Sequence, residues 1–203
     1  MRAGGFVLLT ALAVCMATTA SAEWAVTPYL GINLAGDTEF RRGGLGGSIG
    51  YFGDRLGFEV DFQRYNHFFK DEKVELVPNN CRPSLPPGTQ CVDLNTDATG
   101  FMGNVVVPLR GTQARWRPDA TAGLGVIHAW VEGPGDSYDV EQDDLAVNVG
   151  GGITYALGGR VGLRGDLRYF HAFVDESKRE GGYFQDYGFL RATVGVTVSF
   201  ARR

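Results

Sequence analysis

Leu56-Gly57-Phe58-Glu59-Val60-Asp61-Phe62-Gln63 alternates apolar with polar or small residues, without a fault over eight positions. Successive side chains of a β-strand point to opposite faces. As a strand, the stretch puts Leu56, Phe58, Val60 and Phe62 on one face. Gly57, Glu59, Asp61 and Gln63 fall on the other. A helix would scatter the two carboxylates round an otherwise apolar cylinder, so period two decides for a strand.

The same period recurs along the chain. It predicts eight strands over residues 25–34, 45–52, 56–69, 99–109, 116–131, 145–155, 161–173 and 189–200. In the seventh, Val161, Leu163, Leu167 and Tyr169 stand against Gly162, Arg164, Asp166 and Arg168. In the eighth, Leu190, Ala192, Val194, Val196, Val198 and Phe200 stand against Arg191, Thr193, Gly195, Thr197 and Ser199. The connections alternate in length. Residues 35–44, 70–98, 132–144 and 174–187 form long gaps; residues 53–55, 110–115 and 156–160 form short ones. An even number of strands joined by alternating long and short connections predicts an all-β fold. It is an eight-stranded antiparallel up-and-down transmembrane barrel with short periplasmic turns and long extracellular loops.

The N-terminus fixes the compartment. A positive start at Arg2, an apolar run from Phe6 to Val14 and the small residues Ala20-Ser21-Ala22 have the layout of a signal peptide. Cleavage is expected after Ala22, leaving residues 23–203 as the barrel domain. Leu12-Ala13-Val14-Cys15 partly matches a lipoprotein signal, but Val14 stands where a small residue is needed. With Arg2 removed, 18 basic residues face 23 acidic ones, a net charge of −5, which gives no pull towards nucleic acid. Cys81 and Cys91 are then the remaining cysteines. In an exported chain they read as a disulfide, closing a short ring worth about 3 kcal/mol. Past the signal no apolar run is long enough for a membrane helix, so any membrane crossing must be made by strands.

Alternation does not say which face is inside. A soluble lipocalin-like carrier would turn its apolar face inward. Three features favour the opposite arrangement. The polar face is crowded with glycine, as a narrow lumen requires. The aromatics Trp24, Tyr51, Trp116, Trp130, Tyr155 and Tyr169 gather on the apolar face towards strand ends, as interfacial girdles do. The polar face also carries both signs of charge: Glu59, Asp61 and Asp166 with Arg164, Arg168 and Arg191. Enclosed charges must pair or cost several kcal/mol each, so these six predict a salt-bridge network in the lumen. The network reads either as a gate in a narrow pore or as the packing that a polar lumen demands.

Four segments carry a resemblance: Thr27-Pro-Tyr-Leu-Gly-Ile-Asn33, Ala122-Gly-Leu-Gly-Val126, Asn148-Val-Gly-Gly-Gly-Ile-Thr-Tyr155 and Gly162-Leu-Arg-Gly-Asp-Leu-Arg-Tyr-Phe170. In their order and spacing the chain resembles the small outer-membrane β-barrel domain family. That family includes the OmpA transmembrane domain, the opacity-type proteins and the Ail/Lom adhesins. The resemblance covers residues 23–200 and implies a bacterial outer-membrane location. The last strand is similar to the signal read by the barrel-assembly machinery, with Gly195, Val198 and Phe200 in the matching places; Ala201-Arg202-Arg203 follow where members often end on the aromatic.

No catalytic constellation emerges. His67, His128 and His171 fall near outer strand ends among aromatics. The spacing of His and Ser two apart, used by outer-membrane lipid A deacylases, is missing, since Trp130 follows His128 and Phe173 follows His171. The glycines of 148–154 lie on a strand with no helix after them, which excludes a nucleotide loop. The acids of 132–144 lack an EF-hand spacing and read as a solvated loop. No enzyme activity, cofactor or metal is expected. The partners expected are outer-membrane lipid and lipopolysaccharide, the assembly machinery, and a surface ligand at the proline-bearing, disulfide-pinned loop 70–98. The leading reading is an envelope or adhesin-like barrel; the others are a narrow passive pore and the soluble carrier.

Overall fold

The computed structural model describes residues 22–38, 43–66, 68, 95–111, 114–132, 140–174 and 186–201. The signal segment up to residue 21, most of loop 70–98 with Cys81, Cys91 and its prolines, and His67 lie outside them.

Eight strands run in chain order: β1 Glu23–Gly36, β2 Gly43–Phe52, β3 Gly57–Tyr65, β4 Asn95–Pro108, β5 Trp116–Glu132, β6 Val140–Gly158, β7 Val161–Phe173 and β8 Tyr187–Ala201. Each pairs antiparallel with its neighbours, and β8 returns to β1, so the sheet closes into a barrel with no free edge. The seventh strand coincides with the range read from its alternation. The other seven differ at their outer ends: β3 stops at Tyr65 rather than residue 69, β1 and β5 run on to Gly36 and Glu132, and β2, β4, β6 and β8 begin earlier, at Gly43, Asn95, Val140 and Tyr187. The cause is that a hydrogen-bonded ladder needs no lipid. Glu141, Gln142 and Asp143 are polar, yet they pair with Trp130, Ala129 and His128, carrying the β5–β6 hairpin past the apolar band.

The faces are settled by exposure. Trp24, Leu30, Leu45, Phe58, Phe62, Phe101, Leu124, Val149, Leu167 and Val194 all point outward and are exposed. Glu59, Asp61, Arg164, Asp166, Arg168 and Arg191 are buried inside. The soluble-carrier arrangement is therefore excluded, because its apolar face would line the interior.

Two turns depend on glycine. The β6–β7 connection passes through Gly158 and Gly159 at φ of 145° and 57°, values that L side chains rarely adopt. Gly36 stands at φ 112°, at the end of a strand whose pairing with β8 shifts register between Asn33 and Ala35. A Cβ there would overlap the Gly188 carbonyl.

Candidate functional site

The interior is the site, because the barrel's inward side chains fill it in layers. At the short-turn end Arg117 of β5 forms an ion pair with Glu23 of β1. These strands lie opposite one another in the ring, so the pair bridges the mouth. Above it is a cavity of about 40 Å³ lined by Thr27, Thr154, Thr197, Val106, Asp119 and Arg164. That volume holds a few waters.

The middle layer is ionic. Arg164 grips Asp119 through both guanidinium nitrogens at 3.0 Å and donates to Asp166 at 3.4 Å. Arg168 donates to Glu59 at 2.7 Å and to Asp166 at 2.9 Å. Arg191 donates to Asp61 and to the Tyr29 hydroxyl, both at 3.0 Å, and also to Gln63. The Tyr29 hydroxyl donates in turn to Asp61 at 2.8 Å. Ser48 and Asn104 complete the shell of Glu59. Asp166 touches three guanidiniums, the third being Arg191 at 4.0 Å. The structure thus brings together all six charges named from the sequence and adds Asp119, giving four carboxylates to three arginines. The polar parity of β5 carries Asp119, but only the fold shows that Arg164, two strands away, closes on it.

The outer layer is apolar. Tyr65, Phe68, Met102, Ile127, Phe170, Tyr187 and Phe189 pack with small residues from β4 to β7. Phe170 stacks on Phe189 at 4.9 Å, and Phe68 meets Phe189 edge-on at 5.1 Å. Arg191 lies against the underside of this layer, its guanidinium 4.7 Å from the Phe170 ring centre. This layer is absent from the sequence reading, which carries a polar lumen to both ends. The signal was available: the inward parity of β7 passes from Arg164, Asp166 and Arg168 to Phe170 and Ala172.

The remaining residues named from the sequence divide by face. Trp24 and Tyr51 meet at 5.3 Å, and Trp116 and Tyr155 at 4.5 Å, on the outside near the short turns. Tyr169 is exposed, whereas Trp130 is half-buried with Arg64 5.4 Å above its ring. Gly195 is inward against β1, Val198 is half-buried, and Phe200 is exposed beside Trp24. His128 sits outward, 2.8 Å from Asp143 and 5.4 Å from Trp130, and His171 meets the Phe173 ring at 4.7 Å. The solvated acidic loop needs correction. Glu141 and Asp143 lie on β6, and Asp144 is buried in the lumen, taking a hydrogen bond from Gln142 at 2.5 Å. Strand parity turns Asp144 inward. Asp136 and Asp139 lie outside the described residues. Among the described residues no three His, Cys, Asp or Glu side chains are grouped to hold a metal.

A closed, inside-polar barrel of this kind has relatives. The family model for the outer membrane protein β-barrel domain matches residues 6–200. The chain belongs to that family. No curated protein matches it by sequence. Among solved structures, the chain resembles the N-terminal β-barrel domain of Pseudomonas aeruginosa OprF, at 16% identity and TM-score 0.53, covering 89% of this chain and 98% of that one. Neisserial surface protein A matches at 18% and 0.54, over 88% and 96%. A major outer membrane protein of Thermus thermophilus matches at 16% and 0.54, over 87% and 99%. At these identities the likeness is one of fold. As a family member the chain is an outer-membrane β-barrel protein.

Proposed function

We propose that this barrel is sealed and non-enzymatic, and that it acts at its outer surface, supporting the envelope and holding a partner through its long outer segments. The observation that carries this reading is the filled lumen. An apolar layer sits directly on an ionic one, and the space left within the ionic layer is a cavity of about 10 Å³ between Tyr29, Glu59, Asp61 and the three arginines. The narrow-pore reading would need both layers to part.

The charge of the outer segments narrows the partner. Residues 35–44, 70–98, 132–144 and 174–187 hold seventeen acids, of which Asp97 and Asp144 are buried, against seven basic residues. Such a surface repels sulfated polysaccharide and favours a basic partner, or lipopolysaccharide phosphates through divalent ions. Loop 70–98, pinned by a Cys81–Cys91 disulfide, is the segment assigned to this contact. Export with cleavage after Ala22 and assembly through Gly195, Val198 and Phe200 belong to the same proposal.

The test uses proteoliposomes of neutral lipid passed over polylysine-coated and heparin-coated surfaces. Wild-type vesicles should be retained on polylysine and released by salt. Replacing residues 71–92 with a short Gly-Ser linker should weaken retention. Retention on heparin instead, or no change on removing the loop, contradicts the assignment.

A further inference from the structure

The barrel is electrically polarised along its axis, and its short-turn end is basic. The turn after β2 carries Arg55, the connection after β4 carries Arg110 and Arg115, and the turn after β6 carries Arg160; all four are exposed. Two acids lie at this end, Asp54 and Glu23, and Glu23 is tied to Arg117 inside the mouth.

Two of these arginines have a defined setting: Arg110 lines the cavity at the short-turn mouth, and Arg115 sits on the aromatic belt. Arg115 lies 4.9 Å over the Tyr155 ring, which packs on Trp116. Leu56, Leu109 and Leu157 are exposed beside the same turns, at 37%, 64% and 58%. Trp24, Tyr51 and Phe200 continue the aromatic belt round the rim. Each turn therefore sets an exposed arginine within a few residues of an exposed leucine, and in an outer membrane the two would reach the headgroups and the acyl chains respectively. A guanidinium fork matches the two free oxygens of a phosphodiester, and the leucines match the chains attached to it.

We propose that Arg55, Arg110, Arg115 and Arg160 bind the phosphodiester headgroups of anionic phospholipids in the periplasmic leaflet. The rim thereby selects phosphatidylglycerol-like lipid over zwitterionic lipid. Several turns share the binding, so it is annular rather than a single pocket.

The experiment places the protein in nanodiscs of mixed phosphatidylcholine and phosphatidylglycerol, releases it into mild detergent and counts the retained lipids by native mass spectrometry. Wild type should keep phosphatidylglycerol preferentially. The preference should fall by about fivefold for each arginine changed to glutamine. It should survive in part when all four become lysine. Arg64→Gln, at the opposite end, should leave it unchanged. The Arg55→Gln/Arg160→Gln pair serves if the fourfold variant fails to assemble, since Arg160 accepts a hydrogen bond through its backbone carbonyl, which the substitution leaves in place. Equal retention by wild type and the glutamine variants overturns the proposal. So does displacement of the lipid by free inorganic phosphate, which would indicate a small-anion site. Arginine-dependent sedimentation with peptidoglycan sacculi but without lipid preference would assign the rim to the cell wall instead.

Discussion

Asp166 is the residue on which the ionic layer turns, because one carboxylate serves three guanidiniums. Removing a partner from a buried pair leaves charge uncompensated, at a cost of roughly 3–5 kcal/mol. Asp166→Ala should lower stability by about that much, read as a fall in the urea unfolding midpoint in detergent. A loss under about 1 kcal/mol would mean that solvent reaches the layer and screens it. Replacing both members of a pair behaves differently. Arg191→Met with Asp61→Leu should cost less than the two single changes added together, since neither leaves a lone charge behind. A double-mutant cycle measures this, and simple additivity would contradict the 3.0 Å pairing. At this scale the sequence was informative about face and silent about partner. Alternation turned Arg164 and Asp119 inward, but it could not show that strands two apart in the ring reach each other across the lumen.

At the scale of the strand, glycine makes room for the large inward side chains. Gly46 lies beneath the Tyr29 ring, and Gly150 beneath Arg168. A Cβ at Gly46 would overlap that ring and push the hydroxyl off Asp61 and Arg191. Gly46→Val should therefore destabilise by about 1–3 kcal/mol as an overpacking change, whereas Gly47→Val, on the outward face, should cost little. The pair of unfolding midpoints checks this, and equal losses would contradict the face assignment. The apolar layer gives a second test. Phe189→Ala removes a ring packed on three others and should cost about 3–5 kcal/mol. Glycine on the polar face was readable from pattern alone. The apolar layer was obscured because a single rule, polar inside, was carried along the full length of each strand. It fails at the outer ends, where the inward Phe170, Ala172, Phe189 and Ile127 form a core of the ordinary kind. The outer strand ends were misplaced for a related reason: periodicity marks where lipid begins, not where backbone pairing stops.

For the whole molecule, strand number, closure and direction were legible because three independent signals agreed: period-two segments, alternating connection lengths and mixed charge on one face. Closure removes every sheet edge, so the fold should resist detergent. An unheated sample should migrate differently from a boiled one on an SDS gel, and identical mobility would contradict a closed barrel. What the pattern could not give is the state of the lumen, since a filled and an open interior use the same alternation. That state is the central claim, and planar-bilayer conductance of the refolded protein tests it most directly. The stacked ionic and apolar layers predict a silent membrane at all moderate voltages. Steady, reproducible open channels would contradict them and would make the protein a pore.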